Sequence, residues 1–558
     1  MEVSRSREPP LVNRDTNLLN ETLTTPTAPS QFLVHLSKHP DTPTRELLHP
    51  YLSYETWLRK VFAKQHTGLD SLVGLVSIYD GHESSFKIRT IDHQAAINDK
   101  YIMPLGKCEQ ELEGDLAIAG SIARFHENFE AFTHGVLKDI DWSNIVVAGS
   151  AALLPLLSPR RNVPSTLSAA VEKSLEHYFQ TIANASDIDI FMYGLDEQTA
   201  IRRIREIEAT LRKNQRLLPG MGISLRTKNA ITFVSPKWPY RHVQVILRLY
   251  QSITELITGF DIDCACVAFD GQQVYSSPRG IAAISTRTNT IDLTRRSPSY
   301  ENRLFKYRKH NFEVFWDSLD RRKFDIAERR FGEMANSYEL NPKRITGLAR
   351  LVMFEMLLKR GHSRPYYIQR TLKKVDEVRD PAIMTGGSYD LSGYTNIETP
   401  YSALFTADRV CEYVKRHATE PFMFGTLDEV LHRKRSKKPQ WNDRELSKTI
   451  KFIKENPGRQ MIGSFYPLTA DDWTEMAYYI SSEYNTDDSG DEWESTNAGT
   501  EESEQVNQEE SEEMSQQEIE EDNEEKSKQQ GLRHTVRQWM RRSRVRLRYW
   551  CRRVRVIK

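Results

Sequence analysis

Two short motifs hold the residues whose types and spacing could do chemistry. Gly149-Ser150 closes the apolar run of NIVVAGSAALL, and Ser186-Asp187-Ile188-Asp189 opens that of SDIDIFMYGL. On an extended strand alternate side chains share a face, so Asp187 and Asp189 lie together while Ile188 points into the core. Two carboxylates on one face repel each other unless a cation lies between them, and a set of oxygens alone suits Mg²⁺, or the similar Mn²⁺. A Gly-Ser turn ahead of a helix offers N–H groups and a hydroxyl to phosphate oxygens. Together the two motifs could hold a metal–triphosphate for in-line attack at phosphorus. The plainer alternatives are a tight turn at Gly149-Ser150 and a strand-edge cap at Asp187 and Asp189.

These motifs need a sheet to carry them, and the surrounding pattern supplies one. Around residues 46–63 the spacing of Leu47, Leu48, Tyr51, Leu52 and Trp57 predicts an amphipathic helix. Phe125, Phe129, Phe132 and Val136 predict another over 122–140, their aromatic stripe reading as core. A polar stretch after Ser150 ends in a helix, LSAAVEKSLEHYFQTI. Asp196 caps a helix over LDEQTAIRRIREIEATLRKNQ, whose later turns are basic, as the helix dipole favours. Strands follow in GISLRTKNAITFV and RHVQVILRLY, then a helix, QSITELITGF, and a strand, DIDCACVAFDGQQVYSS. Ser297 and Pro298 suit the cap and first position of a further helix. Strands alternating with helices indicate an α/β sheet unit.

At this point the sequence shows a resemblance. GSAALLPLL followed by SDIDIF is similar to the signature of the DNA polymerase β-like nucleotidyltransferase superfamily, a Gly-Ser turn, a helix and an Asp-x-Asp strand. The resemblance covers about a third of the chain. It implies a mixed sheet with flanking helices, an NTP bound with divalent metal, phosphates at Gly149 and Ser150, and metal at Asp187 and Asp189. It also implies a metal-dependent nucleotidyl transfer, whose acceptor could be a protein, a nucleic acid or a small molecule. Two departures stand against that pattern. An insertion separates Ser150 from Asp187, and Gln244 in RHVQVILRLY occupies the place where a third acid is expected. An amide ligates metal weakly and cannot act as a base. Asp263, which with Asp261 forms a second acidic pair in GFDIDCACVAFDG, could supply the missing oxygen; a turn with solvated acids is the alternative. The stretches DWSNIVVAGS, SDIDIFMYGLDEQTAI, RRSPSYENRLFKYRK and ENPGRQMIGSFYP also resemble uncharacterised fungal proteins, some bearing ankyrin repeats.

The fold expected is therefore α/β, nucleotidyltransferase-like over 46–310, with a mainly helical domain over 311–484. Disordered segments are expected at 1–45 and in the acidic run 485–530, with an Arg-rich tail over 531–558. At 558 residues the chain is too long for one core. Five cysteines, an odd and scattered set, form no disulfide framework, so the protein is expected inside the cell, cytoplasmic or nuclear. Cys264 and Cys266 read as buried thiols on a strand. No apolar run reaches the roughly 20 residues that span a bilayer. The basic cluster Arg295, Arg296, Arg303, Lys306, Arg308 and Lys309, with Tyr300 and Tyr307, could embrace a triphosphate or a nucleic acid, the commoner alternative being a solvated helix face, and Gly386-Gly387-Ser388 reads as a loop. Two rival functions stay open: an interaction scaffold that kept the fold and lost the chemistry, and a nucleic-acid-binding protein acting through its tail.

That tail, Arg533 to Lys558, is Arg-rich with Trp539, Tyr549 and Trp550 interleaved. Guanidinium groups bind phosphate in bidentate fashion, so a nucleic acid or an anionic surface is the partner expected. The acidic run just upstream should compete for it at high effective concentration. Deleting residues 487–525 should tighten RNA or anionic-vesicle binding at low salt, with the gain shrinking as salt rises. Unchanged affinity across a salt series would uncouple the two segments.

Overall fold

The apolar runs around both motifs lie side by side at the middle of a mixed sheet. The computed structural model describes residues 25–64, 69–89, 99–157, 175–183, 186–297 and 300–321, with shorter stretches within 351–358, 399–401, 405–418, 421–433 and 446–454. All belong to the first of two units of the chain, residues 1–482. The acidic run and the Arg-rich tail lie outside the described residues.

Twelve described strands are β1 (Val76–Ser77), β2 (Tyr101–Ile102), β3 (Ile145–Ala148), β4 (Ile188–Tyr193), β5 (Ile223–Arg226), β6 (Ala230–Val234), β7 (Val243–Tyr250), β8 (Val267–Phe269), β9 (Val274–Ser276), β10 (Thr288–Thr290), β11 (Glu313–Phe315) and β12 (Met423–Gly425). Nine form one sheet in the order β1-β9-β8-β3-β4-β7-β6-β5-β12, and the remaining three form a small sheet in the order β10-β11-β2. In the large sheet every neighbouring pair is antiparallel except β4 and β7, which run parallel. The strand that the acidic pair opens thus lies between β3, which ends just before Gly149, and β7, which bears Gln244.

Alternation assigns the faces. Ile188, Ile190 and Met192 of β4 are 0% exposed, and they enter the main core with Val243 and Val245 of β7 and Val147 of β3. Burying each such side chain contributes about 1.5–3 kcal/mol. The same core takes in helices α1 (Phe32–Lys38), α2 (Thr44–Ala63), α3 (Ile122–Thr133), α4 (Ser150–Leu156), α5 (Leu175–Ile182) and α6 (Glu197–Asn214). On the opposite face Val146, Phe191, Ile246 and Tyr250 pack with Ile253, Leu256 and Ile257 of α7 (Ile253–Thr258). Two further helices, α8 (Pro278–Thr286) and α9 (Tyr300–Arg308), return to the main core through Ile281, Ile284 and Leu304.

The coarse α/β expectation holds, and several local ones are revised. Residues 25–45 include α1, whose Phe32, Leu33 and Leu36 are buried, and Phe32 meets Tyr51 edge-on at 4.7 Å. Cys264 lies in a 3₁₀ turn, Asp263–Ala265, and not on a strand; its N–H donates to Asn289 Oδ1 at 2.9 Å. The Ser297 hydroxyl donates to Asp261 Oδ2 at 2.8 Å and the Ser297 carbonyl accepts the Tyr300 N–H at 3.0 Å, while Pro298 lies outside the described residues. The separate helical domain over 311–484 is revised where its residues are described. β11 joins the small sheet, β12 extends the large one beside β5, and α10 (Ala407–His417) and α11 (Leu427–Leu431) lie on either side of β12 in the chain. No described helix is long and apolar enough to cross a membrane.

A buried ionic network ties these elements together. Arg279 of α8 reaches Asp263 Oδ1 at 2.6 Å with Nη1 and Glu55 Oε1 of α2 at 3.0 Å with Nη2. Arg295 bonds the same Glu55 oxygen at 3.2 Å and Asp292 at 3.0 Å, and Arg59 donates to Thr294 Oγ1 at 3.0 Å. Burial by itself raises the Glu55 carboxyl, but Arg279 and Arg295 bring it below the usual carboxylate range. Removing one partner from such a pair strands the others uncompensated, at about 3–5 kcal/mol. Arg279→Leu should therefore lower unfolding stability by about 3–5 kcal/mol in denaturant titration. Breaking the exposed pair Lys454–Glu197, 2.9 Å apart, with Lys454→Leu should cost less than about 1 kcal/mol. Equal effects would remove the network from its structural role.

Candidate functional site

Gly149 turns the chain from β3 into α4 with φ 72° and ψ −139°, a backbone conformation that L side chains rarely adopt. Its own N–H is engaged, donating to Val267 O of the next strand at 3.0 Å. The Gly149 carbonyl takes the N–H groups of Ala152 at 3.1 Å and Leu153 at 2.9 Å, so what the turn presents is the Ser150 hydroxyl and the N–H groups of Ser150 and Ala151. Ser150 is buried, and its hydroxyl meets the phenol of Tyr307 and accepts a long hydrogen bond, 3.4 Å, from Lys306 Nζ. Both partners come from α9, so the basic cluster, for which a solvated face is the commoner reading from sequence, sends one of its members, Lys306, to the Gly-Ser turn.

Asp189 lies in β4 and Asp187 just before it, both partly exposed. Although Asp189 keeps some exposed surface, its carboxylate is largely removed from water. That desolvation, with the charge of Asp187 beside it, pushes its pKa up to about 8 against the opposing pull of Lys306, Gln244 and Arg303. In the parallel register Gln244 of β7 stands directly beside Asp189, and its Nε2 donates to Asp189 Oδ1 at 3.0 Å. Thr232, the partner of Gln244 on β6, donates its hydroxyl to Gln244 Oε1 at 3.1 Å. The strand position singled out in sequence for a third acid thus adjoins the acidic pair, and an amide fills it.

Asp263 is placed elsewhere in the hydrogen-bond network. Its Oδ1 takes Arg279 Nη1 and its Oδ2 accepts the Thr290 N–H at 2.7 Å, so both oxygens are engaged in the buried ionic network. Asp261 bonds Ser297 and Arg303. Neither behaves as the solvated turn acid of the alternative reading, and their bonds hold the segments that flank α9.

One residue escaped the sequence reading. Arg241, fully buried, donates to the carbonyls of Phe132 at 2.8 Å, Phe179 at 2.9 Å, Ala183 at 2.6 Å and Ser186 at 2.8 Å. It gathers the ends of α3 and α5 and the residue just before Asp187, and thereby fixes where the acidic pair starts. Burial brings its pKa down to about 10. Only the lone basic Arg241 ahead of an apolar strand could have signalled it, and such a residue more often reaches solvent.

With this geometry in hand, comparison with known proteins gives two likenesses. Residues 123–287 match the Gabija anti-defense 2 (Gad2) family. The matched segment runs from α3 into the end of α8 and contains Gly149, Ser150, Asp187, Asp189 and Gln244; it is under a third of the chain. The chain is also 30% identical over 240 residues to an uncharacterised protein, R883, of Acanthamoeba polyphaga mimivirus, across 41% of this chain and 48% of that protein. The chain thus spans about half the length of this viral relative. No solved structure matches.

The oxygens present set what the site could hold. Among the described residues no three His, Cys, Asp or Glu side chains gather into a metal cage. Mg²⁺ and Mn²⁺ do not need one, because Mg²⁺ commonly binds through one or two carboxylates together with substrate phosphates and water. The donor set of Asp187 and Asp189 fits that habit, and the desolvated, closely paired carboxylates supply the electrostatic demand.

The same shift has a consequence for stability. An unfolded Asp189 loses its proton near pH 3.8, whereas the folded one keeps it to about pH 8. The folded state therefore binds more protons between these values, and stability falls as pH rises through the window. Asp189→Asn should raise the melting temperature more at pH 8.5 than at pH 5, at roughly 2–4 °C per kcal/mol. A pH-independent difference would show that Asp189 ionises freely.

Proposed function

We propose that this protein binds a nucleoside triphosphate with Mg²⁺ or Mn²⁺ at a nucleotidyltransferase-like site and, where active, transfers the nucleotidyl group to an acceptor. The observation that carries this reading is the convergence of two carboxylates at the start of β4 with a Gly-Ser turn and a lysine. Asp189 stands on β4, the strand next to β3, with Asp187 just before it, and the Lys306 ammonium reaches the Ser150 hydroxyl while acting on Asp189. In this reading Asp187 and Asp189 hold the cation, and Ser150 and Lys306 face the phosphate oxygens. Gly149 makes the turn that brings Ser150 there. A bound divalent ion would neutralise phosphate charge and polarise the reacting phosphoryl group. The Gad2 likeness supports an anti-defence setting for this activity, since the matched segment carries the acidic pair and the turn.

A second reading, a scaffold that has the fold without the transfer, is favoured by one observation: the amide of Gln244 bonded to Asp189. Nucleotide binding is common to the first reading and to a scaffold that has kept its ligand.

The test is ligand-dependent thermal stabilisation of the full chain by NTPs with Mn²⁺. A ligand at a hundred times its dissociation constant contributes about 2.7 kcal/mol. Wild type should gain stability on that scale, and the double variant Asp187→Asn with Asp189→Asn should gain none while remaining folded. Equal stabilisation of both proteins would sink the assignment.

A further inference from the structure

Gln244 stands on β7 directly beside Asp189. With Asp189 ionised, as cation binding requires, Gln244 can offer only its Nε2 side to the carboxylate, because an amide oxygen in that place would face another acceptor. Thr232 holds the same orientation from the far side by donating to Oε1. The amide therefore turns hydrogens toward the site and its lone pairs away. Asp189 Oδ1 already accepts one of those hydrogens, 3.0 Å away, so on the β7 side one of its lone pairs is taken by a donor. Two-metal sites hold their ions about 3.5–4 Å apart and rely on carboxylates that ligate on both sides. A second ion beside Asp189 would meet N–H groups on the β7 side. We propose that Gln244, oriented by Thr232, limits this site to a single divalent cation, so that the protein holds its nucleotide without the second ion that would activate an acceptor. Gln244 is a specificity-determining residue in this sense, and Thr232 a positioning residue. The inference rests on the nucleotide-binding reading above.

Native mass spectrometry of the full chain with Mn²⁺ and α,β-methylene-ATP counts the ions on each nucleotide-bound chain. Wild type should carry one Mn²⁺ per nucleotide, and Gln244→Glu, which replaces the donor by a carboxylate of equal reach, should carry two. Gln244→Asp gives the same comparison with a shorter acid should the glutamate variant fail to fold. A structural role for Gln244 alone would alter stability and leave the ion count at one. Two ions in wild type, or one in every folded acidic variant, would overturn the inference while leaving nucleotide binding intact. Absence of any nucleotide–Mn²⁺ complex in wild type would overturn both.

Discussion

Arg279 stands between two buried carboxylates, Glu55 of α2 and Asp263 of the turn before β8, and the order of the site follows from that arrangement. Each ion in the network has given up several kcal/mol of hydration, so the charges are tolerated only while all of them meet. Their meeting ties α2 and α8 to the 260–263 turn, and through Arg295 to the 292–295 segment. Arg303 and Ser297 add Asp261 to the same assembly. The segment leading into α9 is fixed in this way, and α9 brings Lys306 and Tyr307 to Ser150. The network that fixes α9 thus decides where the lysine facing the acidic pair sits.

The acidic pair presents the opposite case. In the buried network each negative charge has a cation against it, whereas desolvation and the neighbouring Asp187 raise the pKa of Asp189, with Lys306 and Arg303 opposing only in part. Local electrostatic conflict in an otherwise consistent fold is the usual mark of a functional site. The core can carry it because Ile188, Ile190 and Met192 anchor the same strand on its other face.

Much of this was legible in the sequence, for reasons that particular residues make clear. The alternation in SDIDIF and the capped pattern from Asp196 are local, and local order needs no knowledge of neighbours; Asp196 indeed accepts the Thr199 N–H at 2.8 Å. Gln244 stands out because the nucleotidyltransferase resemblance expects a third acid at its place, and the parallel pairing of β4 with β7 brings it beside Asp189. Asp263 is the sequence's candidate for the third oxygen that the resemblance leaves missing. Spacing does not reveal that Arg279, sixteen residues on, and the Thr290 N–H take both of its oxygens. The role of Arg241 stays hidden for the same reason, since its partners lie on elements distant in the chain. β12 was hidden by its length, because three residues carry no period and only the edge of β5 makes them a strand.

The central claim is that Asp187 and Asp189 together hold a divalent cation under a nucleotide. A crystal grown with Mn²⁺ and a non-hydrolysable NTP tests it most directly through the anomalous signal of manganese. A peak within coordination distance of both carboxylates, with phosphate oxygens completing the shell on the side of Ser150 and Lys306, is the result the account predicts. Ordered nucleotide elsewhere on the protein, with no manganese at this pair, would contradict it.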